Sequence, residues 1–370
     1  MKKALVHEWY EVAAGSEKCA ESFTNIWNDF DHFALVDFLN EEDRRRILKG
    51  KKTTTSFIQN LPFAETSFRN YLPLFPFAVE QFDLTDYDFI MTNSHAVAKG
   101  VITRVNQLHI CYCHSPMRYA WDLYHQYIQQ AGLQKGLKAL IAKYTLHRLR
   151  IWDFTTANRP DYFIANSEYT GSRIKKIYNR DAEVIYPPVD THKFPLETNK
   201  DDFYLTASRL VPYKRIDLVV EAFSRMPDKK LVVVGDGPDL EKIKRLATAN
   251  INILGYQEFD TLRSLMQRAK AFVFAAEEDF GIVVIEAMSC GTPVIGFGKG
   301  GTKETIQPGL SGMHFQEQNA QSIIDAVRRF EQEINSFNSS EINRYAQRFS
   351  KDAFEEKIKY FVETKAAEKL

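Results

Sequence analysis

The sequence predicts an α/β protein made of two Rossmann-like, doubly wound domains facing an interdomain cleft. Three observations predict it. The 370 residues exceed what one hydrophobic core usually holds. Short apolar runs alternate with longer helical patterns, which implies parallel sheets covered on both faces. The segment Tyr186-Pro187-Pro188-Val189-Asp190 splits this series in two, and its prolines exclude it from a central strand.

In chain order, residues 4–7, 89–92, 109–113, 161–165 and 183–186 read as strands of the first domain. Residues 203–207, 231–235, 251–254, 271–275 and 293–297 read as strands of the second. In open sheets of this kind, ligands sit outside the carboxyl ends of the strands. The closing stretch 351–370 is an amphipathic helix with Phe354, Ile358, Phe361 and Val362 near one face, a pattern that suits packing on either domain.

Bulk properties narrow the function. Lys plus Arg and Asp plus Glu both number 48, so nothing attracts nucleic acid in bulk, and anion binding must come from local clusters. Cys19, Cys111, Cys113 and Cys290 have no zinc-ligand spacing and read as buried free thiols in a reducing compartment. Met-Lys-Lys-Ala-Leu-Val-His lacks a signal-peptide core, and no apolar run is long enough for a bilayer, so we expect a cytoplasmic protein.

The densest chemistry lies at 278–288. Glu278 and Glu286 are separated by seven residues in Glu-Asp-Phe-Gly-Ile-Val-Val-Ile-Glu, between a strand and the start of a helix. A helix N-terminus offers free N–H groups to an anion such as a diphosphate, and an ionised carboxylate accepts hydrogen bonds from hydroxyls. The residues alone leave a second reading open, with Glu278 as a helix cap and Glu286 merely solvated. Upstream, Ser208-Arg209-Leu210-Val211-Pro212-Tyr213-Lys214 follows a strand; Arg209 and Lys214 could neutralise a leaving diphosphate, or form a solvated basic loop. Gly300-Gly301 offers a further loop where backbone meets ligand.

Together these pieces resemble the retaining glycosyltransferases of the GT-B fold, family 4 (glycosyl transferases group 1). The Glu278–Glu286 element, Ser208-Arg209-Leu210 with Lys214, and Val234-Gly235-Asp236-Gly237-Pro238 match in order and spacing. Tyr112-Cys113-His114-Ser115-Pro116-Met117-Arg118-Tyr119 resembles an element of bacterial O-antigen and polysaccharide mannosyltransferases, which points to GDP-mannose as donor. The resemblance implies that Arg209 and Lys214 hold the diphosphate, and that Glu278 and the backbone of Phe280, Gly281, Ile282 and Val283 hold the hexose. Glu286 would bond the ribose, while Gly255 and Tyr256 would lie beside the base. His114 would face the transferred sugar across the cleft, positioning it or stabilising charge rather than acting as a general base. Gly15 would let the first loop approach the diphosphate. Relatives often have Gly-Gly there, whereas this chain has Ala14-Gly15, tolerable if Ala14 keeps φ below zero. We assign 1–186 with 352–370 to an acceptor-side domain and 187–351 to a sugar-nucleotide domain.

The implied reaction moves a hexose to a polyprenyl-linked glycan acceptor in cell-surface polysaccharide synthesis, with no cofactor and no metal. Asp29-Phe30-Asp31 and Asp86-Tyr87-Asp88 spell the metal signature of a different glycosyltransferase fold, but read as a connection and a turn. The stretch 132–152 carries Leu133, Leu137, Leu140, Ile141, Tyr144 and Ile151 on one stripe among Lys135, Lys138, Lys143, Arg148 and Arg150. Such a helix suits peripheral contact at the inner face of an anionic membrane, or packs on the core with a solvated basic side. A UDP-sugar transferase of the same family and a non-catalytic sugar-nucleotide sensor remain the alternatives. A dehydrogenase does not fit, because no Gly-x-Gly-x-x-Gly follows the first strand.

Overall fold

The computed structural model describes residues 1–12 and 14–369. They form two compact units: Met1–Pro187 with the chain from Phe354 onward, and Pro188–Ala353. Among the described residues, the first unit holds seven parallel strands: β1 (Lys3–His7), β2 (Asp31–Ala34), β3 (Thr53–Thr55), β4 (Phe89–Ser94), β5 (Leu108–Cys113), β6 (Tyr162–Ala165) and β7 (Ala182–Val184). Their order is β3-β2-β1-β4-β5-β6-β7. The second unit holds β8 (Tyr204–Ala207), β9 (Leu231–Val234), β10 (Ile251–Gly255), β11 (Ala271–Phe274), β12 (Val294–Phe297) and β13 (Gly312–Phe315), in the order β10-β9-β8-β11-β12-β13.

Both orders reverse direction once. The chain winds outward one way from β1 and the other way from β4, and likewise from β8 and β11. At such a switch point the loops after the two central strands diverge and leave a crevice. Every residue of β4, β5, β8, β11 and β12 is buried, as expected for strands covered on both faces.

The strands predicted from the sequence recur within two residues at each end. Three others escaped prediction: β2, β3 and β13. The last two end their sheets, where short and partly polar strands are usual, and Thr53–Thr55 has no apolar residue at all. In β2 the apolar signal is interrupted by Asp31 and by His32, which is buried. The four cysteines are buried free thiols.

The closing helix, Lys351–Lys369, buries Phe354, Ile358 and Val362 in the first unit. Phe354 meets the rings of Phe23 at 5.7 Å and Tyr112 at 5.6 Å. Each such apolar side chain contributes about 2 kcal/mol on burial.

The basic stretch departs from the expectation of one helix over 132–152. Gly132 and Gly136 both have positive φ, and the helix runs Leu137–Thr156 after a shorter one at Tyr124–Gln130. Its buried face is Ala139, Leu146, Leu149, Asp153 and Thr156. The predicted stripe lies elsewhere: Leu137 is 72% exposed, Leu140 66%, Ile141 58% and Tyr144 63%. The helix packs on the core, as one alternative held, but through Leu146 and Leu149 rather than through that stripe. The C-terminal half is held by a buried ion pair from Lys99 Nζ to Asp153 at 2.5 Å, and the same carboxylate accepts from Trp121 Nε1 at 2.7 Å and from the Tyr178 hydroxyl at 2.9 Å. Among the described residues no helix is long and apolar enough to cross a membrane.

Candidate functional site

The site residues of the second unit come from loops at the carboxyl ends of its strands. After β8 the chain is pinned against the loop after β9. Ser208 N donates to Val234 O at 3.1 Å, Leu210 N to Asp236 O at 2.9 Å, and Asp239 N to Leu210 O at 3.0 Å. Gly235 is required here, because a Cβ on it would stand 1.8 Å from the Ser208 carbonyl oxygen and its φ is +136°. The backbone on either side of Arg209 is thus fixed while its side chain stays exposed. Gly255, at the end of β10, accepts from Gly235 N at 2.8 Å, and Tyr256 follows it, 69% exposed. The loops after β8, β9 and β10 therefore stack in order.

Lys214 and Glu278 meet. Lys214 closes a short 3-10 turn after β8, and Glu278 lies in the loop after β11, the neighbouring strand across the switch point. Their side chains form an ion pair, 14% and 18% exposed, and the ammonium lies 5.8 Å from the Phe274 ring. Gly300-Gly301 braces the Glu278 loop from beneath. Gly301 N donates to Glu278 O at 2.7 Å, and a Cβ on Gly300 would come 2.4 Å from that oxygen. Glu278 is not the helix cap: the helix Ile282–Ser289 is preceded by Gly281, whose φ is +87°. Phe280 is buried against Phe349 at 5.7 Å, Ile282 and Val283 are half-buried in the first turn, and Glu286 is half-buried in the second.

In the first unit, His114 follows β5 and sits in a polar cluster at the ends of β1 and β4. His114 Nε2 lies 2.6 Å from Asn93 Oδ1. Asn93 Nδ2 donates to Ser16 O at 2.8 Å and lies 3.1 Å from His7 Nδ1. His7 Nε2 is 3.3 Å from Glu17 Oε1, and Glu17 Oε2 accepts from Ala14 N at 3.1 Å. Ala14 has φ −115°, so the alanine is tolerated where relatives often place glycine; Gly15 opens the following helix, Gly15–Ile26. Neighbouring Ala13 lies outside the described residues.

Burial, with His95 and His7 nearby, pushes the His114 pKa down to about 3, which keeps the ring neutral. Burial pushes Glu17 up, but hydrogen bonding and electrostatic attraction from His7, with a hydrogen bond from Ser16, bring it to about 2. Glu8 is wholly buried and its oxygens accept from Ser94 Oγ and the amides of His95, Ala96, Val97 and Ala98 at 2.8–3.0 Å. Burial raises its pKa, and His95 with those amides lowers it further, for a net fall. This carboxylate fixes the loop after β4, whose Ser94 O accepts from His114 N at 2.8 Å.

Sequence reasoning missed Glu8, Glu17, His7, Asn93 and His95. The available signal was position: each is polar, and all but Glu17, which lies in the first turn of the helix Gly15–Ile26, sit at or just past the carboxyl end of a central strand. The described residues contain no group of three or more His, Cys, Asp or Glu that could hold a metal. The residues suited to an anionic ligand are Arg209 and Lys214.

Residues 36–193 match the family model for Glycosyltransferase Family 4, and residues 189–349 match the model for Glycosyl transferases group 1. An uncharacterized glycosyltransferase of Methanocaldococcus jannaschii is 28% identical over 197 residues, 52% of this chain and 55% of that protein. A GDP-mannose-dependent monoacylated alpha-(1-6)-phosphatidylinositol monomannoside mannosyltransferase of Corynebacterium glutamicum is 35% identical over 116 residues, 27% of this chain and 30% of that protein. The chain thus spans about half or less of the length of such relatives. The crystal structure of Anabaena HepE in complex with UDP superposes with a TM-score of 0.70 at 18% identity, over 98% of this chain and 100% of that one. The two family models together run from residue 36 to residue 349, and the chain belongs to the group 1, family 4 glycosyltransferases, with their GT-B fold.

Proposed function

We propose that the protein transfers a hexose from a nucleoside diphosphate sugar to an acceptor hydroxyl with retention, the donor being GDP-mannose and the acceptor a polyprenyl-linked glycan. The observation that carries the reading is the pairing of Lys214 with Glu278 at the switch point of the second unit. A cation suited to phosphate and a carboxylate suited to sugar hydroxyls occupy one small space, as transfer from a sugar diphosphate requires.

In this reading Arg209 and Lys214 hold the diphosphate. Glu278 and the backbone of Phe280 to Val283 hold the hexose, Glu286 the ribose, and Gly255 with Tyr256 the base. Gly15 lets the first loop approach the phosphates. His114, neutral, positions the transferred sugar. The transition state is oxocarbenium-like and charge builds on the departing phosphate, so the two cations act more strongly there than in the ground state. No metal is needed, because the cations do its work. The mannosyltransferase relatives favour GDP-mannose; the UDP-bound structural neighbour favours the UDP-sugar alternative.

The basic helix suits an anionic lipid surface. Residues 123–152 contain no Asp or Glu, while Lys135, Lys138, Lys143, Arg148 and Arg150 surround the exposed stripe.

The test is transfer of labelled mannose from GDP-mannose to a polyprenyl-diphosphate-linked glycan, with and without EDTA. Labelled lipid product at an unchanged rate in EDTA is expected. Binding without turnover would favour a sensor, and abolition by EDTA would overturn the metal-free account.

A further inference from the structure

The hydrogen bonds around His114 assign its tautomer. The Ser16 carbonyl oxygen only accepts, so the Asn93 atom 2.8 Å away must be the amide nitrogen. That fixes Asn93 Oδ1 as the atom facing His114 Nε2 at 2.6 Å. An amide oxygen only accepts, so His114 Nε2 carries a proton. The second amide hydrogen of Asn93 points to His7 Nδ1 at 3.1 Å, which makes that nitrogen an acceptor. His7 Nε2 is then the protonated one and donates to Glu17 Oε1. The chain runs His114 to Asn93 to His7 to Glu17 with a donor against an acceptor at each contact, and the longer approach of His7 Nδ1 to the Asn93 backbone oxygen, 3.4 Å, is left unused.

We propose that Asn93 is a positioning residue that holds His114 as the neutral Nε2–H tautomer and so leaves its Nδ1 lone pair to accept from a hydroxyl of the sugar substrate. This rests on the reading of His114 as the sugar-positioning group. The opposite tautomer would turn a donor toward a hydroxyl and set a bare Nε2 against the acceptor Asn93 Oδ1. Asn93 is suited to the task because it has both an acceptor and a donor and, unlike a carboxylate, adds no charge that would draw a proton onto the ring.

The groups around His114 are Tyr112, 5.1 Å between ring centroids, His95 at 6.3 Å, and His7 and Glu17 through Asn93. Replacing Asn93 by Asp introduces an anion against Nε2, removes both donors and favours the imidazolium. Two measurements test the assignment. Nitrogen-15 NMR of the histidine-labelled full chain at pH 7 should show His114 protonated at Nε2 and bare at Nδ1; the Nδ1–H form or an imidazolium overturns the proposal whatever the reaction. In Asn93→Asp, checked for an unaltered circular dichroism spectrum, kcat should fall by about tenfold or more, because the carboxylate sets an acceptor against Ser16 O and His7 Nδ1 and no longer fixes the ring. The acid limb of its pH–rate profile should move up by about one unit or more as the ring gains a proton. An unmoved acid limb with a simple loss of rate would reduce Asn93 to a packing role. A chain that turns over no nucleotide sugar would sink the reaction but leave the NMR signature in place, so the two failures are distinguishable.

Discussion

Lys214 and Glu278 illustrate what single residues decide. Each neutralises the other, and both are mostly covered, so the pair is held by the protein rather than by solvent. A donor phosphate would take over as partner to Lys214 and free Glu278 for hydroxyls. Lys214→Ala should therefore lower kcat by about a hundredfold, equivalent to about 3 kcal/mol of transition-state stabilisation. Steady-state kinetics on variants with matched melting temperatures check this, and unchanged turnover removes Lys214 from the mechanism. The two residues were legible in the sequence because each follows a strand end, where a doubly wound sheet places its ligand. The partners of His114 were not. Asn93 is 77 residues from Ser16 and 86 from His7, and nothing local in either segment announces the contact.

At the scale of an element, the helix Leu137–Thr156 carries two apolar faces of the same period. Periodicity alone cannot say which one the core takes. The core takes the face with Leu146 and Leu149, secured by the Lys99–Asp153 pair, and leaves Leu137, Leu140, Ile141 and Tyr144 in solvent. Tyr144 and Arg148 also line a cavity of about 340 Å³ with Pro73, Pro76, Thr145, Leu149 and Trp152. The protein should sediment with vesicles containing anionic lipid at low salt and release as salt rises, since surface attraction to Lys and Arg is screened within a Debye length of roughly 10 Å at 0.1 M. The double change Leu140→Glu with Ile141→Glu should abolish sedimentation without lowering the melting temperature, because both side chains are already exposed. Equal sedimentation of the variant, or none by the wild-type chain, contradicts the membrane contact. The edge strands β3 and β13 hid from sequence reasoning for a related reason: a strand with one partner needs little apolar signal.

For the whole molecule, the two units should respond differently to acid. Burial, aided by Lys51 at His32 and by Lys369 and Arg159 at His109, depresses His32 to about 4 and His109 and His114 to about 3, all in the first unit. These values lie below the ordinary 6.5, so beneath pH 6.5 the unfolded chain binds protons that the folded unit refuses, and stability falls as pH drops. Each such histidine contributes a slope of about 1.4 kcal/mol per pH unit. Glu17, depressed to about 2 from 4.5, adds to the fall below pH 4.5. All four tryptophans, Trp9, Trp27, Trp121 and Trp152, also lie in the first unit. Fluorescence-monitored melting should therefore shift steeply downward between pH 7 and pH 5, and a pH-independent midpoint would contradict the buried neutral histidines. The central claim, a sugar-nucleotide site in the second unit, is tested most directly by calorimetric melting with GDP-mannose, UDP-glucose, GDP, UDP and ADP, on the wild-type chain and on Glu286→Ala. A ligand at a hundred times its Kd stabilises its unit by about 2.7 kcal/mol. Stabilisation by GDP-mannose and GDP, lost in Glu286→Ala, is the expected result; stabilisation by none of the five, or an undiminished response in the variant, would rule out that site.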